Sequence, residues 1–167
     1  MSNILCFDPS GNWSDKEGKG TTGWSFFYED TLSGFNSISA EDYDSMEEYW
    51  QAHTDLLDLI LDPIEVIVCE SYKLQPGKAM QQSWSSLETP QLIGYLRMEA
   101  WRRGIPFILQ DPSIKQRFTD KVLVTTGYAE KRPSGIHING LSTNLHIRDS
   151  IRHGLYYYRF GEGKVKK

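Results

Sequence analysis

Ile4-Leu5-Cys6-Phe7-Asp8-Pro9-Ser10 sets four apolar residues before an aspartate and a turn-forming pair, and how this stretch is read decides the fold. The apolar run has the length and composition of a strand, and Pro9-Ser10-Gly11-Asn12 is a cluster of turn residues that stops it, so Asp8 sits at a strand end. A second stretch repeats the pattern. Ile64 to Cys69 is almost wholly apolar and β-branched, which suits a central strand buried on both faces, and it ends at Glu70. If the two strands are neighbours, both carboxylates open beyond the strands' carboxyl ends, where ligands of α/β sheets gather.

Working outward, Thr22 to Tyr28 reads as a second strand and Gly34 to Ser39 as a third, forming an antiparallel meander with Glu29-Asp30 at a turn. Between Ser45 and Leu61, Met46, Tyr49, Trp50, Leu56, Leu57 and Ile60 recur at helical spacing, and Pro63 stops the helix. Ser71 to Ser86, with Pro76-Gly77-Lys78, reads as a loop. Leu87 to Arg103 reads as a helix with Thr89-Pro90 near its start and Gly104 as its stop. Ile105 to Leu109 gives a fifth strand and Pro112 to Phe118 a short helix. Thr125 to Thr143, dotted with glycine and without periodicity, reads as a loop. Asn144 is placed to cap a last helix running to about Tyr158. The order βββαβαβα predicts an α/β fold with a mixed five-stranded sheet flanked by helices.

A chain of 167 residues is long enough for one domain with a real core, so residues 1–167 are expected to form a single unit. With 39% hydrophobic and 24% charged residues it has the composition of a folded protein, not a disordered one. No apolar run is long enough to span a bilayer, and the first residues lack the basic and apolar regions of a secretory signal, which predicts a cytoplasmic protein. Cys6 and Cys69 lie inside strand-like runs and are expected to be buried free thiols.

The net charge of -4 by itself argues against a nucleic-acid partner. Its distribution argues the other way. Residues 1–70 hold 15 acidic and 2 basic side chains, whereas residues 71–167 hold 7 acidic and 16 basic ones. A chain divided like this can turn a basic face to a polyanion. The acidic residues between Glu41 and Asp62 are read as the solvated face of one helix.

Four residues carry the chemistry. Asp8 and Glu70 end strands, and His146 and Asp149 lie three apart on the last helix, on one face. Hard divalent cations prefer carboxylate oxygens, and two cations can flank one phosphodiester, holding the attacking water and the leaving 3′ oxygen. Carboxylates crowded without a cation repel: two charges about 4 Å apart interact by roughly 4 kcal/mol at an effective dielectric of about 20. Taken singly, each residue has an ordinary reading, as a turn former, a solvated strand end or a surface pair. Their conjunction on three elements is what points to a metal site.

The run from Ile4 to Ser10, continuing to Thr22-Gly23-Trp24, resembles the first motif of RuvC-type Holliday-junction resolvases, in which a strand-end Asp precedes Pro and the next strand opens with Thr-Gly. Val66-Ile67-Val68-Cys69-Glu70 is similar to the second motif, and His146-Ile147-Arg148-Asp149-Ser150 to the last. The similarity runs over nearly the whole chain in order and spacing. It implies an RNase H-like fold, with Asp8, Glu70, His146 and Asp149 as the metal-binding and catalytic quartet around Mg2+ or Mn2+, two ions per site. Lys115, in Pro112-Ser113-Ile114-Lys115, matches a family lysine after the fifth strand and would contact the scissile phosphate. The implied activity is hydrolysis of four-way or branched DNA, leaving a 5′ phosphate and a 3′ hydroxyl, by a homodimer. No sequence pattern marks the dimer face, and the helix from Leu87 to Arg103 is taken for it. Ser150 replaces the usual Ala, and the segments Trp13 to Gly20 and Thr125 to Thr143 are longer than in the bacterial enzymes. Small divergent resolvases of bacteriophages have this look, which implies a viral protein acting in the host-cell cytoplasm.

Beyond the quartet, Tyr72, Lys73, Lys78, Lys115, Arg117 and Lys121 are the leading candidates for DNA contact, with Lys164, Lys166 and Lys167 adding sequence-independent attraction. Tyr72 and Trp84 flank the polar loop after Glu70, where an aromatic ring can stack on an exposed base, although packing is the ordinary reading for Trp84. His153 lies one helical turn beyond Asp149, placed to back a ligand. Two other readings share these residues. A flap, debranching or packaging nuclease would use the same ligands on another substrate, and a non-catalytic DNA-binding protein would not need the ligands to converge.

Overall fold

In the computed structural model, which describes residues 1–14, 18–73 and 87–161, Ile4–Asp8 (β1) is wholly buried and paired on both sides. It runs antiparallel to Thr21–Tyr28 (β2) and parallel to Val66–Glu70 (β4). Thr31–Ser39 (β3) lies outside β2, and Phe107–Gln110 (β5) lies parallel outside β4, giving the sheet order β3-β2-β1-β4-β5. Because Phe7 is opposite Cys69 and Glu70 opposite Gln110, the ends of β1, β4 and β5 open at one edge. The two strand-terminal acids therefore share that edge, as the matched sequence pattern predicts.

Side-chain alternation along β1 and β4 splits the core into two layers. Ile4, Cys6, Val66 and Val68 face the layer that holds Ile147 and Ile151 of the last helix, Leu145–Phe160 (α4). Leu5, Phe7, Ile67 and Cys69 face the layer of Leu56 and Leu57 from Met46–Leu59 (α1) and of Leu92 and Leu96 from Glu88–Arg102 (α2). Helices thus cover both faces of a mixed five-stranded sheet, which is the RNase H-like arrangement. Cys6 and Cys69 are buried and free. Among the described residues no helix is long and apolar enough to cross a membrane.

The segment 125–143, expected as a loop, instead carries a three-stranded sheet of Glu130–Arg132 (β6), Gly135–Ile138 (β7) and Leu141–Ser142 (β8). Strands of three, four and two residues are too short for a period-two pattern to show. β6 and β8 are exposed, whereas Ile138 of β7 and Ala129, just before β6, enter the α4-side core beside Leu123 of a short helix, Asp120–Thr125 (α3), that the sequence reading also missed. Pro112–Phe118 is a 3₁₀ segment, and β5 starts at Phe107. The first long helix ends at Leu59 with Ile60 as its cap, before Pro63, and Ile64 stays outside β4. Of the expected loop from Ser71 to Ser86, residues 74–86 lie outside the described residues, and with them Lys78 and Trp84, as do Lys164, Lys166 and Lys167 at the chain end.

Candidate active site

The edge where β1 and β4 end is crossed by the start of α4. Asn144 caps that helix by accepting a hydrogen bond from the Ile147 backbone N–H at 2.8 Å. The helix can sit this close because residue 23 has no side chain: a Cβ on Gly23 would lie 2.0 Å from the His146 carbonyl oxygen. His146 Nδ1 then lies 3.2 Å from Asp8 Oδ2. Lys115 arrives from the 3₁₀ segment, whose start is capped by Asp111 accepting from Ser113 N–H at 2.8 Å. Its ammonium is 2.9 Å from Glu70 Oε2 and 3.1 Å from Asp149 Oδ2. All five expected site residues are thus brought together.

Their charges interact strongly. Burial pushes the Asp8 carboxyl above the ordinary carboxylate range, against the hydrogen bond from His146, and the negative charges of Glu70 and Asp149 push the same way. The hydrogen bond to Asp8 raises His146 despite its partial burial. Burial also disfavours ionised Glu70, but hydrogen bonds from His153 and Lys115 outweigh this and hold Glu70 low. Burial lowers Lys115, and Glu70, Asp149 and Asp8 more than reverse it.

Behind the acids stand groups the sequence reading assigned weakly or not at all. His153, wholly buried, donates from Nε2 to Glu70 Oε2 at 2.8 Å, with Nδ1 2.7 Å from Gln110 Oε1. Arg152, also buried, hydrogen-bonds Asp149 Oδ1 and Asp120, and donates from Nε to the Phe118 carbonyl at 2.6 Å. Arg152 follows Asp149 by three positions, so the helix face that located His146 and Asp149 would also have located it.

The turn after Asp8 is fixed from beneath. Thr22 Oγ1 accepts from Ser10 N–H at 3.1 Å, Tyr49 donates its hydroxyl to the Ser10 carbonyl at 2.5 Å, and His53 Nε2 lies 2.7 Å from Thr22 Oγ1. The Thr22-Gly23 pair thus has two jobs: the hydroxyl holds the turn, and the bare glycine admits α4. Further on, Gly11 N–H donates to Thr89 Oγ1 at 3.0 Å, and the buried Glu88 carboxylate accepts from Trp13 N–H and from the backbone and hydroxyl of Ser14. No local signal marks Glu88, because its partners lie 74 and 75 residues away.

A cleft of about 680 Å³ opens beside Glu70 and Lys115, lined also by Tyr72, Lys73 and Asp111. Lys73 is ion-paired with Asp111, which this partner holds down at a pKa of about 2. Arg117 is exposed, stacked over the Phe160 ring at 5.0 Å, and Lys121 is exposed on α3; neither lines the cleft.

Three carboxylates and an imidazole are the donor chemistry of a hard divalent cation. As they stand, no three His, Cys, Asp or Glu side chains among the described residues are arranged to hold one ion together. The Lys115 ammonium spans Glu70 and Asp149, and His146 is turned onto Asp8. The residue types fit the cation, and the lysine occupies the ground between two of them.

No protein-family model matches the sequence, and no curated protein does. Solved structures do match in shape. A T. thermophilus RuvC in complex with a Holliday junction substrate superposes with a TM-score of 0.64 over 96% of this chain and 97% of that one, at 15% identity. A second Thermus thermophilus RuvC structure gives a TM-score of 0.60 over the same shares, at 14% identity. At such identities the likeness is one of fold.

Proposed function

We propose that this chain is a divalent-metal-dependent endonuclease of the RuvC kind that cuts four-way DNA junctions. The observation that carries the reading is the meeting of Asp8, Glu70 and Asp149, from β1, β4 and α4, at one edge of a fold shared with a RuvC solved on its junction. Asp8, Glu70, Asp149 and His146 would hold Mg2+ or Mn2+, two ions per site, which supply an activated water and charge stabilisation at phosphorus. The chain's own residues do the rest. The buried floor of Thr22, Tyr49 and His53 keeps the Asp8 turn in place. Lys115, freed from Glu70 and Asp149, would bind the scissile phosphate. Tyr72 and Lys73 in the neighbouring cleft would meet the strand beside it, and Lys78, Arg117 and Lys121 would add contacts to the backbone. Hydrolysis would leave a 5′ phosphate and a 3′ hydroxyl. A two-fold symmetric junction suits a homodimer, and α2, with Met98 and Trp101 exposed, is the face assigned to it.

The test is cleavage of a four-way junction in magnesium, beside matched flap and duplex substrates, by the parent and by Asp8→Asn and Asp149→Asn. Junction cutting that both substitutions abolish is expected. Activity retained in both would end the proposal, and preferential cutting of the flap would reassign the substrate.

A further inference from the structure

Arg152 and His153 sit side by side on α4, both buried, and each reaches a different acid of the site. Arg152 binds Asp149 through Oδ1, leaving Oδ2 toward Lys115. His153 binds Glu70 through Oε2 at 2.8 Å, and the Lys115 ammonium straddles the same carboxylate, 2.9 Å from Oε2 and 3.2 Å from Oε1. Both backing groups are themselves anchored. Phe118 and Asp120 hold the guanidinium, and Gln110 holds the imidazole. Asp149 thus has one oxygen tied to the protein interior and one turned to Lys115, and Glu70 is held between buried His153 on one side and Lys115 on the other.

We infer that Arg152 and His153 are positioning residues for the proposed cation site: they fix the rotamers of Asp149 and Glu70 before an ion binds. A carboxylate free to rotate would have to be ordered when the ion binds, whereas one already held loses little freedom. Fold stability is a weak reason for such groups, since a buried ion pair can often be exchanged for apolar side chains without loss. Their convergence on two acids of the site, each backing group itself anchored from behind, is the feature that a merely structural role leaves unexplained. The inference rests on the proposed function, and extends it to residues outside the quartet.

The test is direct titration of the full chain with Mn2+, followed by electron paramagnetic resonance and calorimetry in the absence of DNA. Arg152→Met and His153→Leu should each weaken the ion by about 10- to 100-fold. His153→Gln, which keeps an N–H near the Nε2 position, should recover most of the affinity. Asp120→Asn, which loosens Arg152 from its outer side, should give a smaller loss in the same direction, and it decides the matter should Arg152→Met fail to fold. Folded variants that bind Mn2+ as tightly as the parent overturn the inference while leaving the function standing. A parent that binds no Mn2+, or binds it equally well as Asp8→Asn, removes the proposed function and this inference with it.

Discussion

Gly23 and His146 meet backbone to backbone: a Cβ at position 23 would stand 2.0 Å from the His146 carbonyl oxygen and 2.6 Å from the Ile147 nitrogen. Neither atom belongs to a flexible side chain, so any added carbon must move α4 or β2. Gly23→Ala should therefore cost about 1–3 kcal/mol in stability, as overpacking does. It should also carry His146 away from Asp8, so that cleavage falls further than the loss of folded protein explains. Denaturant unfolding alongside junction cleavage checks this, and unchanged activity in a destabilised protein would contradict it.

The Lys115 ammonium lies between Glu70 and Asp149, on the ground the proposed cation would need. In chelator, Lys115→Met should be less stable than the parent by about 1 kcal/mol, because Glu70 and Asp149 lose their shared ammonium. Adding Mn2+ should then raise its Tm more than the parent's, since binding to the folded state alone is stabilising. Thermal unfolding with and without manganese measures both effects, and equal shifts in the two proteins would show that the ammonium does not stand in the ion's way. Cleavage should fall in the variant even when Mn2+ saturates it.

His53 makes the fold acid-sensitive. Burial lowers its pKa from 6.5 to about 4, so the unfolded chain binds the proton and the folded one resists it. The sign follows: this contribution is fully present above pH 6.5 and is lost as the pH falls toward 4. At about 1.4 kcal/mol per pH unit the loss across that window is about 3 kcal/mol. His53→Gln should be somewhat less stable than the parent at pH 7, losing the 2.8 Å bond to the Tyr49 carbonyl, but should shed this part of the acid dependence. Denaturant unfolding at pH 7, 5.5 and 4.5 provides the comparison, and parallel curves would refute it.

Glu88 ties the segment after Asp8 to the first turn of α2. In Glu88→Gln an NH2 replaces one of the two oxygens that accept from Trp13 N–H and from the N–H and hydroxyl of Ser14, and the negative charge is lost with it. A loss of about 1.5–3 kcal/mol is expected, the range for hydrogen bonds to a charged group. Hydrogen exchange at Trp13 and Ser14 should speed up far more than at Leu5 or Phe7 in β1. A uniform change across the chain would mean that the effect is global and not at this clamp.

The strand-end acids and the last helix were legible in the sequence because they are local patterns: apolar runs of strand length closed by Asp8 and Glu70, and His146 and Asp149 on one helical face. That β1 and β4 are parallel neighbours, which the two like endings made a condition of the shared edge, was decided by the tertiary structure. The small sheet of 130–142 was not legible, because its strands are too short to carry a period and only β7 reaches the core, through Ile138. Nor was the place of Lys115 between Glu70 and Asp149, the reach of Arg152 to Asp120, or the hold of Glu88 on Trp13. Each of these depends on side chains 32 to 75 residues apart meeting in space. Local alternation and capping are set by neighbouring residues and can be read from them, whereas which oxygen of a carboxylate faces a cation depends on contacts that exist only once the chain has packed.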